Sequence, residues 1–125
     1  MPHNAAKYSA MKTLTIIETG RPPAKIEGDW PLYPAMFETL LTPHLPNWTY
    51  DAVELSEGAP LPDPSALDAI LITGSAAGVY DNEAWMVPLM DFIRGAAHTL
   101  TPLIGICFGH QAIAVALGAN VAKSD

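Results

Sequence analysis

Leu67-Asp68-Ala69-Ile70-Leu71-Ile72-Thr73 is apolar at nearly every position and offers almost no polar face to water. A run of this length and uniformity is suited to a central strand covered on both sides, which is the environment of a parallel sheet with helices above and below it. Pro102-Leu103-Ile104-Gly105-Ile106 is a second such run. Thr13-Leu14-Thr15-Ile16-Ile17-Glu18 is a β-branched strand closed by Gly20 and Pro22-Pro23, and Trp48 to Leu55 reads as another strand before a loop punctuated by Pro60, Pro62 and Pro64. Between these runs the period changes. Tyr33, Met36, Phe37, Leu40 and Leu41 recur at helical spacing, with Pro34 suited to a first turn. Trp85, Leu89, Phe92, Ile93 and Ala96 fall on one face of a helix expected from about Glu83 to Ala97. A last helix is expected after Cys107, stopping at Gly118. The order is strand, helix, strand, strand, helix, strand, helix. It predicts an α/β fold with a largely parallel sheet, right-handed crossovers and helices on both faces.

The chain has 125 residues, half of them apolar, which suits one domain with a real core. Met1 to Ala10 shows no periodicity and is expected to be a loose extension, so the patterned domain spans 11–125. Thirteen acidic and six basic side chains leave a formal charge of −7, which repels nucleic acid and anionic lipid. No apolar run approaches the roughly 18 residues of a membrane span, and Met1 to Met11 lacks the pattern of a secretory signal, so a cytoplasmic protein is expected. His3, His44, His98 and His110 show no paired ligand spacing, and neither a metal nor a cofactor is expected.

The single cysteine stands in Gly105-Ile106-Cys107-Phe108-Gly109, between an apolar strand and a helix. This is the form and the context of a nucleophile elbow, with Cys in place of Ser. The turn is tight and strained, and glycines on either side remove Cβ atoms that would collide with the strand and the helix. A free cysteine is, on residue type alone, usually a buried small hydrophobe. The flanking glycines and the strand-to-helix position reverse that reading and present Cys107 as a thiol held outward at the helix N-terminus, where an anion is favoured. The elbow also provides one oxyanion donor, the backbone N–H of Phe108. Gly74-Ser75, at the end of the preceding parallel strand, is placed to provide a second, because strand C-terminal ends line one crevice in α/β proteins.

Pro102-Leu103-Ile104-Gly105-Ile106-Cys107-Phe108-Gly109-His110-Gln111, followed by Ala116-Leu117-Gly118, closely resembles the nucleophile segment of class I glutamine amidotransferases. Ile72-Thr73-Gly74-Ser75 with Val79-Tyr80-Asp81 resembles that family's oxyanion loop, and the likeness is strongest to the stand-alone branch related to the glutaminase part of GMP synthase. The resemblance implies a flavodoxin-like domain that hydrolyses the side-chain amide of glutamine through a γ-glutamyl thioester on Cys107. The ammonia released would go to an acceptor substrate or an ammonia-accepting synthetase. It further implies that Gln111 helps to hold the glutamine and that the amide of Gly74 or Ser75 completes the oxyanion hole.

The family closes its triad with a His-x-Glu pair well after the nucleophile, and Asp125 is reached without one. The expectation is therefore an N-terminal part of the domain, incomplete at its C-terminus and inactive alone, with the complete protein contributing the pair. His110 follows Cys107 by one helical turn, but elbow geometry turns the thiol away from the helix that follows. Glu38, Glu83 and Asp91 fall at polar helix positions and read as solvated faces. Two alternatives accompany the glutaminase reading: a γ-glutamyl peptide or amine hydrolase using the same thioester, and a non-catalytic domain that binds glutamine or a partner protein.

Overall fold

A computed structural model of the chain describes residues 11–20, 33–74 and 83–118. The expected loose extension, the loop at Val79-Tyr80-Asp81 and Ser75 lie outside the described residues. The ordered elements are β1 (Lys12–Glu18), α1 (Tyr33–Leu41), β2 (Trp48–Glu54), β3 (Ala69–Ile72), α2 (Met86–His98), β4 (Leu103–Gly105) and α3 (Phe108–Ala116). The four strands form one parallel sheet in the order β2-β1-β3-β4. The α/β order read from the sequence is therefore the observed one, and the two most apolar runs, β3 and β4, lie side by side.

The period-2 alternation of the strands divides the interior into two cores. Ile17, Ile70 and Ile72 point to one face, where Leu89, Phe92, Ile93 and Ala96 of α2 and Phe108, Ala112 and Ala116 of α3 close over them. Leu14, Ile16, Ala69 and Leu71 point to the other, where Phe37 and Leu41 of α1 and Trp48 and Tyr50 of β2 pack against them. Helices thus cover both faces. The cover on the α1 side is thinner: Met36 and Leu40, which share the helical period of Phe37 and Leu41, are exposed.

Several boundaries differ from the sequence reading for local reasons. Leu55 does not extend β2 but opens a 3-10 turn, Leu55–Glu57, closed by Gly58 in the left-handed region at φ 98°. The proline segment that follows forms no α-helix and ends in a second 3-10 turn, Pro64–Ala66, before β3. Asp68, within the run Leu67 to Thr73, lies just before β3, and its carboxylate accepts the Thr13 N–H at 2.9 Å. Helix α2 ends where Thr99 turns its hydroxyl back to the Gly95 carbonyl at 3.1 Å. Helix α3 ends at Ala116 with Leu117 as its C-cap, and the expected stop glycine, Gly118, follows in the left-handed region at φ 105°; the Arg94 guanidinium donates to the Ala116 carbonyl at 2.9 Å.

Candidate active site

The strand β4 reaches α3 through a single sharp turn whose apex is Cys107. Its backbone sits at φ 50°, ψ −106°, a combination that L residues rarely adopt. Ile106 is fastened to β3 by its N–H, which donates to the Ile72 carbonyl at 3.0 Å, and the next hydrogen bond, Gly109 N–H to the Ile106 carbonyl at 2.9 Å, folds the chain back into helix. The Gln111 N–H then donates to the Cys107 carbonyl at 3.1 Å. Cys107 is thus the N-cap of α3, and it is exposed.

The two flanking glycines are required by contact. A Cβ on Gly105 would stand 2.5 Å from the backbone of Gly109 and His110. A Cβ on Gly109 would come within 2.9 Å of the Ile72 carbonyl carbon and nearer still to its oxygen. Helix α3 therefore lies directly on the ends of β3 and β4, an approach that only glycine allows.

Phe108 divides its work between side chain and backbone. Its ring is buried and meets Trp85 edge-on with ring centroids 5.5 Å apart, which anchors the start of α3 to the start of α2. Its N–H has no acceptor among the described residues, as expected for a first-turn helical amide. On the other side of Cys107 lies Gly74: a Cβ placed there would be 3.6 Å from the Cys107 Cβ and 3.8 Å from the Ile106 carbonyl. The Gly74 N–H likewise has no acceptor among the described residues. The end of β3 and the apex of the elbow, separate in sequence, are neighbours in space.

Gly74 is held from its far side. The Thr73 hydroxyl donates to the Gly74 carbonyl at 3.1 Å while accepting the Thr19 N–H at 3.1 Å. The Thr19 hydroxyl donates to the Thr73 carbonyl at 2.9 Å, with the Gly74 carbonyl 3.3 Å away. Thr19 and Thr73 are both buried, as is Glu18 beside them at the end of β1. The sequence reading did not single out these three side chains. Gln111 is half-buried in the first turn of α3, four residues after Cys107 and so on its side of the helix. His110 is exposed on α3, and His98 and His44 are exposed at the end of α2 and in the turn after α1. Glu38, Glu83 and Asp91 are exposed as expected.

Residues 35–125 match the family described as glutamine amidotransferase class-I. The chain belongs to that family. Among its relatives, the glutamine amidotransferase-like protein chry6 of Gibberella zeae is 38% identical over 73 residues, which cover 55% of this chain and 30% of that protein. Gamma-glutamyl peptidase 4 of Arabidopsis thaliana is 30% identical over 92 residues, covering 74% of this chain and 37% of the relative. The chain thus spans about a third of the length of these curated relatives. A crystal structure of a glutamine amido transferase from Methylobacillus flagellatus superposes with a TM-score of 0.66 at 23% identity, over 87% of this chain and 40% of that one. This amidotransferase-family chain accordingly has the α/β fold of that enzyme, and the elbow described above lies within the matched family segment.

Proposed function

We propose that this chain carries the nucleophile of an enzyme that hydrolyses a γ-glutamyl amide through a thioester on Cys107, with glutamine as the first substrate to consider. The observation that carries the reading is the exposed Cys107 at φ 50°, capping α3 with Gly74 alongside. In the proposed reaction the Cys107 sulphur adds to the side-chain amide carbon. The oxyanion that forms accepts from the Phe108 N–H and from a backbone N–H at the Gly74 loop. Each such donor contributes roughly 3 kcal/mol to the transition state. Collapse of the tetrahedral species breaks the C–N bond and releases ammonia. Water then adds to the thioester, and the C–S bond breaks to give glutamate and the free thiol.

The departing nitrogen needs a proton and the attacking water must lose one, and we assign both tasks to a His-x-Glu pair in the complete protein. Gln111 is assigned to the substrate, since its position after Cys107 brings an amide side chain to the same side of α3. The ammonia passes to an acceptor substrate or a synthetase partner.

The likeness to a protein named γ-glutamyl peptidase over 74% of this chain supports a second reading, in which the leaving group is the amine of a γ-glutamyl peptide. The elbow determines thioester chemistry and leaves the leaving group open. Both readings are tested by assaying the full-length protein for glutamate release from glutamine and from γ-glutamyl dipeptides, with Cys107→Ser as control. Release from one class and its loss in Cys107→Ser is the expected result. A diazoketone analogue of glutamine should label Cys107. Absence of both turnover and labelling would favour a domain that only binds.

A further inference from the structure

We propose that Trp85, at the N-cap position of α2, is a positioning residue for the reaction: its ring fixes the Phe108 ring, and through it the Phe108 N–H that meets the oxyanion. The proposal rests on the thioester reading above. Trp85 acts through Phe108 and has no part in the bond-making steps.

The elbow has one side-chain anchor. From Gly105 to His110, the side chains of Ile106, Cys107 and His110 are exposed, and the two glycines have none to bury. Phe108 alone sends a side chain into the core, where it is 3% exposed. The peptide that carries its N–H joins Cys107 to Phe108. The Cys107 carbonyl of that peptide accepts the Gln111 N–H at 3.1 Å. A peptide group is planar with its C=O and N–H opposed, so the Phe108 N–H points away from the body of α3. Its sideways aim depends on the Phe108 Cα, and the docked ring holds that atom. The backbone at Cys107, φ 50°, persists only where the surroundings over-determine it. A ring free to shift at Phe108 would let the apex relax and swing the donor with it.

The Phe108 ring docks on Trp85. The centroids are 5.5 Å apart and the planes meet at 68°, an edge-to-face arrangement that selects an orientation as well as a distance. Helix α2 places the indole in turn: the Trp85 carbonyl accepts the Leu89 N–H at 3.2 Å, and the neighbouring Met86 side chain is buried. The indole itself is only half-buried. It also borders a groove of about 890 Å³ together with Leu55, Pro60, Pro88 and Phe92, which Phe108 does not line. A large ring left partly open buries less apolar surface than its size offers. What it does supply is a rigid aromatic edge at the start of α3.

The test uses the full-length protein with γ-glutamyl-p-nitroanilide and glutamine as substrates, each variant assayed well below its own thermal midpoint. Trp85→Leu should lower kcat by about 10- to 100-fold while KM stays within about 3-fold, since the displaced donor acts on the transition state. Trp85→Phe, which keeps an aromatic edge, should recover kcat to within about 3-fold of wild type. Alkylation of Cys107 by iodoacetamide, which forms no oxyanion, should stay within about 3-fold of the wild-type rate. Phe108→Leu removes the same contact from the other side. The double variant should therefore fall no more than about 3-fold below the less active single variant. A Trp85→Leu enzyme with kcat within about 2-fold of wild type overturns the proposal. So do losses that multiply in the double variant, a Trp85→Phe enzyme no better than Trp85→Leu, and an alkylation rate that falls in step with kcat. Should Trp85→Leu not fold, Phe108→Leu carries the same expectation, and an unchanged kcat there overturns it equally. Cys107→Ser separates the two failures: activity that survives it removes the thioester reading and this proposal together, whereas activity lost in Cys107→Ser but kept in Trp85→Leu removes the proposal alone.

Discussion

Three glycines surround Cys107, and they answer to different constraints. At Gly109 the neighbour is backbone, and a methyl group within 2.9 Å of the Ile72 carbonyl carbon can be accommodated only by moving α3 off the sheet. Gly109→Ala should therefore destabilise the fold by about 3 kcal/mol, read by chemical denaturation. At Gly74 a methyl would meet only ordinary van der Waals contacts, at 3.6 Å and 3.8 Å. Gly74→Ala should unfold within about 0.5 kcal/mol of wild type, yet the full-length protein should lose most of the proposed activity, because the methyl stands against the Cys107 Cβ on the side proposed for the oxyanion. Cys107 shows the opposite balance. Its φ of 50° is a strain of order 1 to 3 kcal/mol for a residue with a Cβ, and the side chain is exposed. Cys107→Gly should raise stability by about 1 kcal/mol while abolishing turnover, so melting temperature and activity should move in opposite directions. The motif that permits these statements is a local string, and for that reason it was legible in the sequence. Thr19 and Thr73 were not: their hydroxyls meet across 54 positions, and each alone reads as an ordinary β-branched strand residue.

At the level of elements, hydrophobic period identified every strand and helix among the described residues in type and order, and erred mainly at ends and coverings. Leu55 was read as the last residue of β2, but a left-handed Gly58 draws it into a 3-10 turn. In α1 the period marked Met36 and Leu40 as apolar-face residues, and both are exposed. Period shows that a face exists and says nothing about how much of it a neighbour reaches. The 3-10 turn before β3 carries its own pH signature. The Asp63 carboxylate accepts from the Ser65 hydroxyl at 2.8 Å and from the Ser65 N–H at 2.9 Å. These two bonds, the hydroxyl first, hold its pKa below the ordinary value. A depressed folded-state pKa stabilises above the unfolded value and is lost as pH falls through the folded one. The gap in thermal midpoint between wild type and Asp63→Ala should therefore be present at neutral pH and close as the pH falls through and below the ordinary carboxylate range.

For the whole molecule, stability is concentrated on one side of the sheet. Ile93, fully buried between α2 and the strands, should cost about 3 to 4 kcal/mol on truncation to alanine. Leu40, 64% exposed on α1, should cost no more than about 0.5 kcal/mol; urea titration of the two variants compares them directly. Amide protons of α2 and α3 should exchange more slowly than those of α1. No helix among the described residues is long and apolar enough to cross a membrane.

The carbonyl of Ile72 receives the N–H of Ile106 at 3.0 Å and lies under the bare Cα of Gly109, while two residues further along the chain, past the end of β3, stands Gly74. Cys107 and Gly74 are thus both placed from one benchmark. That benchmark is a main-chain oxygen, common to every amino acid. Inheritance can keep it without keeping any particular letter at position 72, and its only trace in the sequence is the side chain that Gly109 does without.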